Sequence, residues 1–378
     1  MYQQTLPLPL RDDFSVQVQM SIFADTSGYM AYISTDLGGW QRFRIGLKPH
    51  DVEELNMELQ DAIEQAARAF EAHDEGERAL SKLAQKGAFA FKRIFTDGVP
   101  REIISKTLNT GATLQIVSEH FFLPWELLYT GPLGPHADAS CFWGMQHIIS
   151  RALIQDAQPG ALKPPLIHTS CPQVGLITCD ELEQVVKKEI PMLQQLHQQK
   201  KIFLLPLRSL NADQRDEELD YVSHFLRNEE LHIIHFACHA YEKQPKSQSY
   251  LRISDKFAIS VEDFFVRDFE ITHNPFVILN ACLTGTISPL HTSNWAALFW
   301  EHGARGVLAT EFHIPDRFAA EFTEELYKHF LSEQPIGDAL LNTRRYFWEQ
   351  RRNPLGLAYA LYSSPSIRIT TYSQGQET

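Results

Sequence analysis

Ile233-Ile-His-Phe-Ala-Cys-His239-Ala240 and Val277-Ile-Leu-Asn-Ala-Cys282-Leu-Thr-Gly285 are the two stretches on which the fold turns. Each is an apolar run too short for a helix and closed by a group able to do chemistry, the pattern of a strand buried on both faces of a parallel sheet. Outward from this pair the same signal alternates with helical spacing. Strand readings at Pro165 to Ser170, Lys201 to Leu207 and Gly306 to Thr310 interleave with helix readings over Glu181 to Leu196, Asp213 to Leu226, Asn294 to His302, Phe318 to Leu331 and Ile336 to Gln350. Tyr250 to Ile253 and Phe257 to Ser260 read as a hairpin. The expected fold class is α/β, a mostly parallel sheet flanked by helices on both faces.

Upstream, Ser15-Val-Gln-Val-Gln-Met20 alternates with period two, and Tyr29 to Ile45 holds apolar positions around a turn at Gly38-Gly39. Leu55, Leu59, Ile63, Ala66, Ala67 and Phe70 then fall on one helical face. Arg78 to Phe95 reads as a second helix and Ala112 to Val117 as a strand. Gln155 to Pro165, with three prolines and a glycine, reads as an interdomain connection. The expectation is therefore an N-terminal α/β domain over 1–158 and a second α/β domain over 159–378. No repeat of 20–50 residues is visible.

The chain has 378 residues, 44% hydrophobic, and 34 Lys+Arg against 47 Asp+Glu give a net charge of −13. An acidic balance disfavours sequence-independent nucleic-acid binding, which needs a basic stripe to displace counterions. No apolar run reaches the ~18 residues of a membrane helix, and Met1 to Asp13 lacks a secretory leader, so the expectation is a cytoplasmic protein without membrane insertion. The five cysteines, Cys141, Cys171, Cys179, Cys238 and Cys282, are odd in number and form no Cys-x-x-Cys pair. Reduced thiols that act as small buried hydrophobes are expected of most of them.

In such sheets functional groups gather at the carboxyl ends of strands. A thiol becomes a strong nucleophile only as thiolate, and a neighbouring imidazole can take its proton. His239 and Cys282, at the ends of adjacent strands, would make that pair. Backbone N–H groups at the turn through Thr284 and Gly285 would be free for an oxyanion. Buried packing is the commoner fate of either residue alone. Period two puts His235, Ala237 and His239 on one side of their strand and Phe236 and Cys238 on the other, so His235 reads as a hydrogen-bonded structural histidine. A zinc site from His235, His239 and Cys282 lacks recognised ligand spacing, and no phosphate loop or Gly-x-Ser-x-Gly elbow is present.

Taken together, His235-Phe-Ala-Cys-His239 followed by Asn280-Ala-Cys-Leu-Thr-Gly285 resembles the paired signature of CHAT domains, caspase-like cysteine peptidases related to separases and caspases. Gly303-Ala-Arg-Gly-Val-Leu-Ala-Thr310, Ile314-Pro-Asp316, Pro335-Ile-Gly-Asp-Ala-Leu340 and Ala360-Leu-Tyr-Ser-Ser-Pro365 follow in that family's order, and Leu123-Pro-Trp-Glu-Leu-Leu128 resembles the segment before its core. The resemblance implies a caspase-like fold and a cysteine endopeptidase that needs no cofactor and no metal. His239 would be general base and acid and Cys282 the nucleophile, with the backbone N–H groups of Cys282 and Ala240 as oxyanion hole. The family usually carries Gly where Ala240 stands, and often Trp near Phe312. Relatives in bacteria act in defence, including antiviral defence, and in cell death, cleaving one protein partner under control, gasdermin-like pore formers among them. A protein substrate and a regulatory protein partner are thus expected. An acidic pocket for Arg or Lys before the scissile bond would draw on Glu311, Asp316 or Asp180. The polar stretches Tyr241 to Ser249 and Thr284 to Asn294 would serve as lids or as ordinary connections. Ahead of Leu123 two readings stay open, an inactive half-domain and a sensor. The competing view of the whole is a catalytically silent interaction module.

Overall fold

Alternation in the first segment builds an antiparallel meander, β1 (Val18–Asp25), β2 (Gly28–Thr35) and β3 (Trp40–Ile45). The β1–β2 turn requires Gly28. Its φ is 138°, and a side chain there would meet the carbonyl oxygens of Ile45 and Leu47 at 2.7 and 2.8 Å. Helices α1 (Pro49–Glu71), α2 (Glu77–Ile94) and α3 (Val99–Thr107) lead to β4 (Thr113–Ser118), parallel to β1. The short α4 (Trp143–Gln146) then leads to β5 (Ile148–Leu153), parallel to β4, and the sheet order is β3-β2-β1-β4-β5. The structure is a computed structural model that describes residues 16–35, 39–71, 77–96, 98–118, 121–153, 164–179, 181–208, 210, 214–241, 248–254, 256–282 and 295–372.

The second sheet follows β6 (Leu166–Thr169) and is made from β7 (Gln173–Thr178), β8 (Phe203–Leu204), β9 (Ile233–Tyr241), the hairpin β10 (Tyr250–Arg252) and β11 (Ala258–Ser260), β12 (Phe276–Cys282), β13 (Gly306–Thr310) and β14 (Tyr359–Tyr362). β8, β7, β9, β12 and β13 run parallel in that order, and β14 closes one edge antiparallel. On the outer edge of β9, β7 pairs with Ile233 to Ala237 and β10 with His239 to Tyr241. Parallel neighbours need crossovers. These are α5 (Ile190–Gln198), α6 (Arg215–Leu226), α7 (Val261–Val266) and α8 (Trp295–Glu301), with α9 (Asp316–Phe330) and α10 (Ile336–Arg351) between β13 and β14.

Period two in β9 and β12 divides the core. Ile233, Phe276 and Ile278 share one apolar cluster with Leu193, Phe322, Leu326 and Phe330, on the α5, α9 and α10 side. Ile234, Phe236, Val277 and Leu279 pack with Leu219, Val222, Phe264 and Phe299, on the side of α6, α7 and α8. Both faces are therefore covered, and the protein has the expected α/β class with parallel-rich sheets. The first cluster continues through Met20, Leu59, Leu83 and Trp125 of the N-terminal sheet region. β5 lies beside β14, and the Phe70 ring meets Phe318 edge to face at 5.2 Å.

Three elements depart from the sequence reading. The Pro165–Ser170 run becomes β6, which pairs with β15 (Arg368–Thr371) outside the large sheet. The strand in the sheet is β7, whose Val-Gly-Leu-Ile run sits close behind β6, so its signal merges with it; Gly175 is kept small by the Phe225 ring, 2.5 Å from where a Cβ would stand. The helix expected from Glu181 instead contains a π turn, Val185–Glu189, ahead of α5. Pro191 has no N–H to offer and crowds the preceding turn, so the chain opens to the wider spacing, with Ile190 N–H bonded to the Val185 carbonyl.

Candidate active site

β9 and β12 run parallel in a register that pairs Ile278 with His235, Asn280 with Ala237 and Cys282 with His239. Neighbouring strands stand about 4.8 Å apart, so the two residues singled out by sequence occupy one row at the carboxyl ends of adjacent strands. The antiparallel β10 places Arg252 opposite His239 on its other side.

His239 is half-buried. Burial pushes its imidazole below the ordinary value, the neighbouring charges of Arg252 and His313 lower it further, and Asp316 opposes them. The ring is therefore neutral at neutral pH, the state a proton acceptor requires. Arg252 is paired with Glu181 and donates to the Tyr241 hydroxyl at 3.5 Å. Tyr241 in turn stacks on Tyr250, with centroids 4.9 Å apart. Asp316 opens α9, where its carboxylate accepts from the Gln184 N–H at 3.4 Å. Ala240 lies buried in β9 opposite Leu251, in extended backbone, so the glycine usual at this position is not demanded by a left-handed conformation here.

Asp180 lies outside the described residues, as do 242–247 and 283–294, the bulk of the two stretches read as lids. Glu311, directly after β13, is buried. Its Oε1 lies 3.0 Å from Arg151 Nη1 and accepts from the Tyr362 hydroxyl at 2.7 Å, and its Oε2 accepts from Arg151 Nη2 at 3.0 Å. Burial pushes the Glu311 carboxyl up to about 7, with Arg151 opposing and the nearby Glu126 adding. Arg151 also pairs with Glu126, whose Oε1 is 3.4 Å from Arg344 Nη2. Two carboxylates and two guanidiniums thus form a buried clasp between β5, the 123–128 segment, β13 and α10. A substrate cation at Glu311 would have to displace Arg151.

Beneath the His239–Cys282 row, His235 and Asn280 are buried and engaged. His235 Nε2 is 2.8 Å from Glu189 Oε1, its Nδ1 is 3.2 Å from the Tyr327 hydroxyl, and its ring stacks on that of Tyr327. The reading of His235 as a structural, hydrogen-bonded histidine matches this placement. Among the described residues no cluster of three His, Cys, Asp or Glu is arranged to hold a metal ion. Cys179 and Cys238 are buried in the core. Sequence reasoning missed Glu189, although a signal existed: Leu182, Val185, Glu189 and Leu193 fall on one helical stripe, and a carboxylate on an apolar stripe needs a buried partner.

A family model described as CHAT domain matches residues 123–367. No curated protein matches the sequence. Among solved structures, the Saccharomyces cerevisiae separase–securin complex at 2.6 Å resolution aligns with TM-score 0.54 and 10% identity, covering 94% of this chain and 30% of that one. The 3.0 Å structure of the same complex gives TM-score 0.51, 11% identity, 93% and 30%. The chain spans less than a third of the separase chain it matches. The Drosophila initiator caspase Dronc aligns at TM-score 0.30 and 10% identity, over 54% of this chain and 82% of that one, a likeness that carries no further weight. Among the described residues, no helix is long and apolar enough to cross a membrane.

Proposed function

The chain belongs to the CHAT domain family, with its caspase-like peptidase fold, and from that premise we propose that it is a cysteine endopeptidase acting through His239 and Cys282. One observation carries the reading: the β9–β12 register sets those two residues in one row at the carboxyl ends of the central strands. In this mechanism His239, neutral through burial and its cationic neighbours, takes the Cys282 proton. The thiolate attacks the scissile carbonyl, His239 returns the proton to the leaving amine, and water then hydrolyses the acyl-enzyme. The backbone N–H groups of Ala240 and Cys282 are the proposed donors to the oxyanion.

We place Asp316 rather than Glu311 on the substrate side for a basic residue before the scissile bond. Asp316 is near enough to His239 to bias its proton affinity, whereas Arg151 already occupies Glu311. Asp180 stays a second candidate for the same pocket. The proposed process is limited, regulated proteolysis of a protein partner in the cytoplasm, a gasdermin-like protein in bacterial defence being the first substrate to try. Separase is solved with securin bound, and by analogy we propose a regulatory protein partner for this chain.

Co-expression with candidate substrates tests the reading. Cleavage should vanish, with at least a thousandfold lower rate, in both Cys282→Ala and His239→Ala. Cleavage that survives in Cys282→Ala removes that residue from the mechanism and favours the silent-module view. Because the imidazole is held below its ordinary value, the acid limb of kcat/KM should fall below pH 6.5.

A further inference from the structure

A buried polar cluster lies below the dyad row and touches both strands that carry it, at Asn280 and at His235. Glu189, fully buried at the end of the π turn, puts a single oxygen between them. That oxygen, Oε1, accepts from Asn280 Nδ2 of β12 at 2.9 Å and lies 2.8 Å from His235 Nε2 of β9. Asn280 Nδ2 also reaches Thr323 Oγ1 of α9 at 2.9 Å, and the Tyr359 hydroxyl of β14 donates to Asn280 Oδ1 at 2.6 Å. His235 is held from the far side by Tyr327. Asn280 is two residues before Cys282 in β12, and His235 is four before His239 in β9, on the same side of that strand by the two-residue period.

An apolar side chain at position 189 would continue the stripe of Val185 and Leu193. A buried charged cluster is costly beside a well-packed apolar one, and its best-attested use is to fix one arrangement among several. Here, moreover, the Glu189 Oε2 atom has no hydrogen-bond partner among the described residues, and the carboxylate is presented by a π turn, a feature that recurs at functional sites. Stability alone gives no reason for any of this. The placement does: the cluster bridges β9 and β12 below the His239–Cys282 row, where a sub-ångström change of strand spacing would be carried to a thiol–imidazole pair at the strand ends.

We propose that Glu189, through His235 and Asn280, is a positioning residue that sets the distance and orientation of His239 relative to Cys282. The inference rests on the peptidase reading above. Its test is the pH dependence of Cys282 alkylation by iodoacetamide, followed by mass spectrometry on the full chain, together with kcat and KM for a cleaved substrate. Wild type should alkylate at Cys282 far faster than at Cys238 at neutral pH. Glu189→Leu should slow Cys282 alkylation at least tenfold, shift its pH profile alkaline, and lower kcat about a hundredfold with KM within threefold. Glu189→Gln, which keeps one acceptor oxygen, should restore part of each. If Glu189→Leu does not fold, Thr323→Val and Tyr359→Phe remove single members of the cluster and should slow alkylation about threefold each. A wild-type Cys282 as inert as Cys238 would sink the peptidase reading itself. A reactive wild type, with variants that lose only thermal stability and keep the alkylation profile, would overturn the positioning role alone.

Discussion

The N-terminal and C-terminal sheets are built to the same plan and end differently. β1 carries an antiparallel hairpin on one edge and takes β4, then β5, in parallel on the other. β9 carries an antiparallel hairpin at its end and takes β12, then β13. The last register pair of β1 and β4 is Ile22 with Ser118, whereas that of β9 and β12 is His239 with Cys282. Ile22 is fully buried and the Ser118 hydroxyl is spent on the Phe121 carbonyl at 2.8 Å. One topology thus carries the proposed site in one sheet and, in the other, a strand end filled by packing and a local hydrogen bond. This favours the inactive half-domain over the sensor as the proposal for the N-terminal region, and the lesson is that chemistry is set by what stands at the strand ends.

The comparison breaks first where the halves are clasped. Removing one member of the Glu126, Arg151, Arg344 and Glu311 group strands its buried partners, a loss of about 3–5 kcal/mol for a buried pair. Glu126→Ala should therefore unfold at markedly lower denaturant. The C-terminal sheet should lose protection together with the N-terminal one if the halves form one cooperative unit, and hydrogen exchange read sheet by sheet reports it. Two separate transitions would show that the clasp joins independent domains.

The clasp also marks the limit of what sequence could reveal. Strand ends bearing His239 and Cys282 were legible because short apolar runs fix a parallel sheet, and motif order fixed the neighbours. Glu126 was visible only inside a quoted motif, and Arg151 fell in a stretch to which the sequence reading assigned no element. Their pairing spans β5 and the 123–128 segment, and Glu311 joins from β13. No local period encodes a contact between residues so far apart in the chain. The π turn was illegible for a different reason: the apolar spacing from Glu181 to Leu196 reads as one continuous helix, and spacing alone does not show that Pro191 widens the turn before it.

Two histidines sharpen the comparison at intermediate size. His147, at the base of the N-terminal sheet region, is held down to about 4, chiefly by burial, with Arg345 lowering it and the Asn109 backbone opposing. In the unfolded chain it titrates near 6.5, so between about pH 6.5 and 4 the unfolded state binds more protons. Stability should then fall as pH drops through that window, by up to about 3 kcal/mol at its acid end. His147→Gln should flatten this part of the profile. His239, lowered as well but only half-buried, should leave stability nearly unchanged over the same range while cleavage declines.

The smallest effect tests the proposed inactive half directly. Ser118 stands where the C-terminal sheet has Cys282, and its hydroxyl donates to the Phe121 carbonyl, joining the end of β4 to the segment that leads into Trp125. Ser118→Ala leaves that carbonyl short of a donor and should cost about 1 kcal/mol in equilibrium unfolding. Cleavage kinetics should not move, since among the described residues the register partner of Ser118 is Ile22, which offers no base to a hydroxyl. A fall in kcat without a matching loss of stability would mean that the N-terminal strand end takes part in the chemistry, and the division between a site and its support would fail.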